Sequence, residues 1–315
     1  MKSFDIVAIG EILIDMTYAG KSAAGQTLFE QNPGGAPANV LAAAQRLGAK
    51  TALIGKVGED MHGLFLKGIL EREGISTASL AVDPTVFTTL AFVNLDENAN
   101  RTFSFARKPG ADTCLTSDEV SPELVASTKI FHTGSLSLTD EPARSATLYA
   151  LRLAGEAGAI ITYDPNYRAS LWASPEAAVR EMRSVIPMVD VIKISDEETE
   201  LLTGYKSPKD AAESLISDGI SVVIVTLGKD GAYIRTRNFE YTAPAESVRA
   251  VDTTGAGDAF MGGFLYKLAA SGKRPEELTL ADITEFASLA NRVAAHCVER
   301  RGAICAMPYP SDIGL

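Results

Sequence analysis

Residues 159–226, AIITYDPNYRASLWASPEAAVREMRSVIPMVDVIKISDEETELLTGYKSPKDAAESLISDGISVVIVT, decide the fold. Three short apolar runs, Ala159–Tyr163, Val189–Ile194 and Ser221–Thr226, read as strands, and the spacing between them predicts helices over Pro175–Ile186 and Pro208–Ser217. Strands separated by helices imply right-handed crossovers and a mostly parallel sheet covered on both faces. Outward from this stretch the same rhythm continues. Pro142–Glu156 reads as a helix. Nearer the N-terminus come a buried strand at Phe4–Ile9, a helix Ala36–Leu47 ended by Gly48, a strand Thr51–Val57, and a helix Met61–Arg72 ended by Gly74. Beyond it stand two more helices, Ala259–Ala270 and Ala281–Glu299. The expected class is α/β, a three-layer α/β/α domain around one large sheet.

Two segments break the rhythm. Ile12–Gln31 has no helical period and reads as extended. Val86–Phe105 reads as a hairpin, with Thr88–Leu95 and Thr102–Phe105 joined by a turn through Asp96-Glu97-Asn98-Ala99-Asn100. The expected division is a core of residues 1–11, 34–85 and 107–315, with a small β lid of residues 12–33 and 86–106. Such a layer over the C-terminal edges of the strands would cover the place where open α/β sheets bind ligands. An ordinary surface hairpin or a dimer contact is the alternative.

Composition narrows the function. With 29 basic and 40 acidic residues the formal charge is −11, which argues against a nucleic-acid partner because phosphate backbones need a basic face. The three cysteines, Cys114, Cys297 and Cys305, are scattered and show no zinc spacing, which fits a reducing cytosol. The N-terminal apolar run is too short for a signal peptide, and no stretch reaches the ~20 apolar residues of a membrane span.

The chemistry concentrates in Asp252-Thr253-Thr254-Gly255-Ala256-Gly257-Asp258-Ala259-Phe260, which opens an apolar helix. Glycines at a helix start leave backbone N–H groups outward, at the positive end of the helix dipole, suited to phosphate or a developing oxyanion. Asp258 there would repel a bound phosphate unless it takes a proton from the group attacking it; the plain alternative is a helix-stabilising charge. A second group lies after the first strand. Asp15, in Gly10-Glu11-Ile12-Leu13-Ile14-Asp15, and Asn39, in Pro33-Gly34-Gly35-Ala36-Pro37-Ala38-Asn39, would face one space, with Gly34 and Gly35 letting backbone press against a ligand. A carboxylate and an amide suit vicinal hydroxyls. The turn at 255–257 is no dinucleotide fingerprint. Gly20-Lys21-Ser22 is no Walker A, since Asp15 stands where its first glycine belongs, and protein-kinase motifs are absent.

Taken together, GEILIDM, PGGAPANV, GKVGED, DPNYR, TLGKDGA and DTTGAGDAF resemble the ribokinase/PfkB family of carbohydrate kinases, in that family's order and across Ile6 to Pro308. FHTGSLSL, DPNYR and KISDEE resemble its fructokinases most. The resemblance implies a ribokinase-like fold, ATP and Mg²⁺ as nucleotide and metal, and transfer of the γ-phosphate to a sugar hydroxyl. Asp258 would be the base, and the N–H groups of Gly255, Ala256 and Gly257 the anion hole. Asp15, Gly34, Gly35, Asn39 and the lid's Phe105 would hold sugar, with Arg107 reaching in from the lid and Arg168 clamping phosphate. Lys193, Thr226, Gly228, Gly257 and Asn291 would face the nucleotide, and Glu198 would position Mg²⁺ through water. This chain carries Ser195 where the family pattern has Asn. A K⁺ site is implied at Asp252, Thr254, Cys297, Arg300 and Gly302, although Ala306 stands where the family often has Ser.

By the same resemblance fructose is the expected substrate, phosphorylated usually at O6. The rival is a 2-keto-3-deoxygluconate kinase, whose acid sugar the family grips with arginine and lid tyrosines. Here the hairpin carries Phe92, Phe103 and Phe105, which lack the hydroxyl, while Arg107 and Arg168 remain available. Further alternatives are a catalytically silent sugar-binding protein and a dehydrogenase. The apolar hairpin also invites a homodimer through the lid.

Overall fold

The computed structural model describes residues 2–95 and 101–315. Strand β1 (Phe4–Ile9) lies inside a large sheet, paired in parallel with β4 (Thr51–Gly58) on one side and β8 (Thr128–Gly134) on the other. Beyond β4 lies β5 (Ser76–Asp83), a strand the sequence reading did not anticipate. Beyond β8 run β9 (Ile160–Asp164), β10 (Val191–Ser195) and β11 (Val222–Thr226), all parallel. The antiparallel β12 (Ala232–Thr236) and β13 (Glu240–Ala243) complete nine strands in the order β13-β12-β11-β10-β9-β8-β1-β4-β5.

The two faces of the sheet are read off β1. Ile6 and Ala8 pack into a core with α1 (Ala36–Arg46), α2 (Met61–Glu73), α8 (Ala256–Ser271) and α9 (Leu280–Val298). Val7 and Ile9 pack into a second core with α3 (Pro122–Ala126), α4 (Ala143–Glu156), α5 (Pro175–Ser184), α6 (Asp196–Thr203) and α7 (Pro208–Ser217). Side chains of a strand alternate between faces, so both cores are fed by one strand at once. Phe264 of α8 meets Phe286 of α9 edge to face, with ring centroids 5.7 Å apart. Emptying such a fully buried phenyl site costs about 3–5 kcal/mol.

Two helix boundaries move for identifiable reasons. The helix expected from Ala259 begins at Ala256, because Gly255 (φ 78°) already turns the chain into it. The helix expected to reach Ile186 stops at Ser184; Pro187 cannot donate and restricts the residue before it, and a 3₁₀ turn over Ile186–Met188 follows.

The segments that broke the rhythm form a separate four-stranded sheet in the order β3-β2-β6-β7. It consists of β2 (Leu13–Lys21), β3 (Thr27–Gly34), β6 (Leu90–Leu95) and β7 (Arg101–Ala106). Ile12–Gln31 is thus extended as expected, but it is a hairpin whose second strand runs on to Gly34, with an irregularity between Tyr18 and Lys21. Phe29 and Phe92 pack edge to face at 5.6 Å. The turn expected at 96–100 lies outside the described residues, as does the side chain of Phe103. Among the described residues no helix is long and apolar enough to cross a membrane.

Candidate active site

The C-terminal ends of β1, β9, β10 and β11 share one edge of the large sheet, and the small sheet contributes Asp15 and Phe105 opposite them. Between the two lies a cleft of about 570 Å³. Asp258 is buried in its wall, at the third helical position of α8. Asn39 Nδ2 donates to its Oδ2 at 2.8 Å and Asn166 Nδ2 to its Oδ1 at 3.4 Å. Burial pushes this carboxyl up to about 6, and Asp164 adds to the rise; the Asn39 hydrogen bond, Lys193 and Arg168 hold it down. The net result is a carboxylate ionised at neutral pH yet basic enough to take a proton.

The N-cap of α8 is Gly255, which has no side chain to close the turn and sits at φ 78°, where a Cβ would stand 2.8 Å from the Cβ of Ala303. The Ala256 N–H leans on the Thr253 carbonyl at 3.3 Å. A Cβ on Gly257 would stand 3.0 Å from Lys193 Nζ, so the ammonium lies against the turn. Lys193 Nζ is ion-paired to Asp164 Oδ2 at 2.5 Å. Against the desolvation that would lower it, Asp164, Glu198 and Asp258 hold its pKa above the usual lysine value.

The turn Asp164-Pro165-Asn166-Tyr167-Arg168 distributes contacts across the site. Asp164 takes Lys193, Asn166 reaches Asp258, the Tyr167 N–H donates to Glu198 Oε1 at 2.6 Å, and the Arg168 guanidinium lines the cleft. Glu198 accepts at its other oxygen from Ser195 N (2.8 Å) and Ser195 Oγ (3.1 Å), closing a capping box on α6. The departure from Asn at this position is therefore explained locally, since Ser suits an N-cap paired with Glu three residues on.

On the facing side, Asp15 of β2 is half-buried, and burial pushes it up to about 7, with Asp258 and Asp252 raising it against the pull of Arg168. Gly34 is glycine because a Cβ there would collide with Asp15 Oδ2, and at Gly35 (φ 108°) a Cβ would lie 2.6 Å from the Glu11 carbonyl. Glu11 itself was not singled out in the sequence. It is buried, lines the cleft, and accepts from Ala36 N at 2.9 Å, with burial pushing it up to about 7. Thr226 and Gly228 also line the cleft.

Three expectations change. Arg107 does not line the cleft. Its guanidinium donates to Asp112 Oδ2 (Nε, 2.8 Å), Thr139 Oγ1 (Nη1, 2.8 Å) and the Leu136 carbonyl (Nη2, 2.8 Å), beside a second cavity of about 540 Å³. The buried Asp112 needs a counter-charge, and β7 ends one residue earlier, so the chain delivers Arg107 to it. Asn291 ties α9 to the Pro244 carbonyl at 2.8 Å and is likewise outside the cleft wall. The segments expected to hold a monovalent cation do come together, but they bind one another. Asp252 accepts from Thr254 N (2.9 Å) and Gly302 N (3.2 Å), and the Arg300 N–H donates to the Cys297 carbonyl at 3.2 Å. Among the described residues no group of three or more His, Cys, Asp or Glu side chains is placed to hold a metal ion, so a cation there would rely on backbone oxygens and water.

The fold is shared with known proteins. The model of the pfkB family of carbohydrate kinases matches residues 3–310. A probable fructokinase-5 of Arabidopsis thaliana is 42% identical over 310 residues, covering 98% of this chain and 95% of that one. Fructokinase-2 of Solanum lycopersicum is 42% identical over 311 residues, covering 98% and 94%. Among solved structures, a fructokinase of Xylella fastidiosa with bound ATP superposes with a TM-score of 0.91 at 32% identity, covering 99% and 97%. A fructokinase of Vibrio cholerae O395 holding fructose, ADP and calcium superposes at 0.89 and 32%, covering 99% and 98%.

Proposed function

Because the chain belongs to the pfkB family of carbohydrate kinases, we propose that its cleft transfers the γ-phosphate of ATP to a hydroxyl of D-fructose, with Asp258 as the base. The observation that carries this reading is the buried Asp258 carboxylate in the first turn of α8, bonded by Asn39 and raised by burial to about 6. Asp15 and Asn39 would hold the sugar so that the acceptor hydroxyl faces Asp258. As that oxygen attacks, its proton passes to Asp258 and the O–P bond forms while the bond to the leaving ADP breaks. Charge on the transferring phosphoryl would fall to the N–H groups of Gly255, Ala256 and Gly257, with that of Ala256 now on the Thr253 carbonyl at 3.3 Å, and to the ammonium of Lys193 and the guanidinium of Arg168. Thr226 and Gly228 would face the nucleotide, and the small sheet, residues 12–33 and 86–106, would act as the lid that excludes water.

The donor set fits a hydrated Mg²⁺ arriving with ATP. Glu198 would hold it through water, and Asp164 Oδ1, a buried oxygen without a hydrogen-bond partner, lines the same cleft. The metal would supply neutralisation of phosphate charge. K⁺ activation through the 252–254 and 297–302 segments is tested by adding K⁺ to a K⁺-free assay. A dimer across the small sheet is supported by its exposed Tyr18 (41%) and Leu28 (45%) and is tested by sedimentation.

Fructose is favoured over an acid sugar because the Arg107 donors are already committed to Asp112, Thr139 and Leu136. The deciding assay is ADP release with Mg-ATP against fructose, 2-keto-3-deoxygluconate, ribose, tagatose and adenosine. Strong preference for fructose is expected; preference for the acid sugar overturns the substrate assignment. Asp258→Asn should keep ATP binding and lower kcat by at least ~10²-fold, within the usual contribution of a general base. Near-normal turnover removes Asp258 from the mechanism.

A further inference from the structure

Asn166 is, among the described residues, the one non-glycine residue with positive φ, at 47°. This left-handed region is tolerated best by Asn and Asp outside glycine, and a non-glycine residue held there marks a constraint worth explaining. Two contacts hold the turn in place. Ser135 donates to the Pro165 carbonyl from both its N–H (3.2 Å) and its hydroxyl (2.5 Å), and the neighbouring Tyr167 N–H is bound by Glu198. The Asn166 side chain, so directed, donates Nδ2 to Asp258 Oδ1 at 3.4 Å, while Asn39 from α1 donates to Oδ2 at 2.8 Å. One amide thus addresses each oxygen of the same carboxylate, from elements 92 and 219 residues away in the chain.

We propose that Asn166 is a positioning residue of the phosphoryl transfer: with Asn39 it clamps Asp258, and its longer contact leaves Oδ1 as the oxygen that receives the proton of the acceptor hydroxyl. This rests on the reading of Asp258 as the base. The unequal distances decide which oxygen does the work. The 2.8 Å bond fixes Oδ2, and a lone pair there is already spent; the 3.4 Å contact is weak enough to yield when Oδ1 becomes an O–H. The proton moves from sugar oxygen to Oδ1 as the O–P bond forms, ADP departs with the electron pair of the broken bond, and Oδ1 later returns the proton to water. Before transfer the amide favours the ionised carboxylate and so opposes its burial. The other charged or titratable groups facing Asp258 are Asp164 of β9, Lys193 of β10 and Arg168 beyond β9. Asp15 of β2 and the Cys297 thiol of α9 also feel its charge.

Two substitutions compatible with the left-handed backbone separate this role from a purely structural one. Asn166→Gly removes the amide and keeps the conformation; Asn166→Asp keeps it too but places a second carboxylate beside Asp258. The pH dependence of kcat with fructose and Mg-ATP, the KM for fructose and the melting temperature are measured for both and for the parent. The acid limb of kcat should move upward by roughly half a unit to one unit in Asn166→Gly, the scale of one lost ordinary hydrogen bond, in keeping with the long 3.4 Å contact. It should move further in Asn166→Asp. The Asn166→Gly rate should fall about 1.5–3-fold near pH 6.5 and recover most of this by pH 8.5, with fructose KM within about 2-fold of the parent. An unmoved acid limb, or a uniform loss across pH that tracks a lower melting temperature, overturns the proposal. Asp258→Asn, assayed alongside, distinguishes the two failures. If it is inactive while the Asn166→Gly limb stays in place, only the role of Asn166 falls. If it turns over normally, the reading of Asp258 falls instead.

Discussion

Helices α1 and α8 begin in the same way and end up in opposite chemical states. Each starts on a glycine with positive φ, Gly35 at 108° and Gly255 at 78°, and neither is capped by the side chain of that residue. At α1 the first N–H is closed by a carboxylate from the same chain, Glu11 Oε1, at 2.9 Å. At α8 the residue beside the turn is a lysine, whose ammonium would stand 3.0 Å from a Cβ on Gly257. A helix N-terminus attracts an anion. One of these two has its anion built in, and the other leaves the place to a ligand. A glycine turn before a helix therefore does not by itself mark an anion site; what fills its N–H groups does.

The largest effect should come from filling the empty turn. Gly255→Ala meets both the positive φ and the Ala303 contact at 2.8 Å. It should lower kcat by about 10²–10³-fold, the scale of losing an oxyanion donor, and lower stability by about 1–3 kcal/mol, read by steady-state kinetics and thermal melts. Gly35→Ala should act on binding and not on chemistry. Its Cβ would press on the Glu11 backbone, 2.6 Å away, so a fall in melting temperature and a raised fructose KM are expected, with kcat changed less than in Gly255→Ala. Equal losses of kcat would erase the distinction between the two turns.

A smaller effect tests the built-in anion. Glu11 titrates near 7 in the fold, above the usual carboxyl range. Between that range and 7 the folded state binds the proton better than the unfolded chain does. Stability from this group is therefore greatest at low pH and is lost as pH rises towards 7 and above. Glu11→Gln cannot ionise, so its melting temperature relative to the parent should improve from pH 5 to pH 8; a constant difference would mean that Glu11 is ionised throughout. The smallest expected effect is a separation of pH limbs. Asp15, near 7, should raise fructose KM as pH falls below about 7, while kcat should fall through about 6 as Asp258 protonates. Coincident limbs would show that one group governs both.

Much of this was legible in the chain. Between Pro142 and Thr226 the three strands and three of the helices follow from apolar runs of strand length between helical spacings, while the short α6 over Asp196–Thr203 went unseen; Asp258 follows from an acid in a turn otherwise suited to anions. Other parts were hidden because they depend on distant partners. Arg107 was expected in the cleft because the family resemblance implies an arginine reaching in from the lid here. Its actual partner, Asp112, is five residues on, and nothing local shows that this aspartate is buried. β5 was missed because Ser76–Asp83 alternates weakly and buries only part of its length. Glu11 and Asn166 matter through contacts 25 and 92 residues away. A usable signal did exist for Asp164 and Lys193. They interrupt otherwise apolar strands on the same period-two face, where a charge is tolerated only if paired.

The place of β1 in the sheet also governs how the molecule is made. It is synthesised first, yet one of its two neighbours, β8, pairs with it across 124 residues of chain. Until that strand has emerged, β1 keeps an open edge, and an unpaired apolar strand edge is a site for mispairing. Asp15 and Asn39, the residues proposed to hold the sugar, are on hand early. The carboxylate that Asn39 grips arrives 219 residues later, so the nascent chain can have much of a binding surface long before it has a reaction. Late, long-range closure of this kind makes folding slow, and it makes the final helices the step that switches the enzyme on.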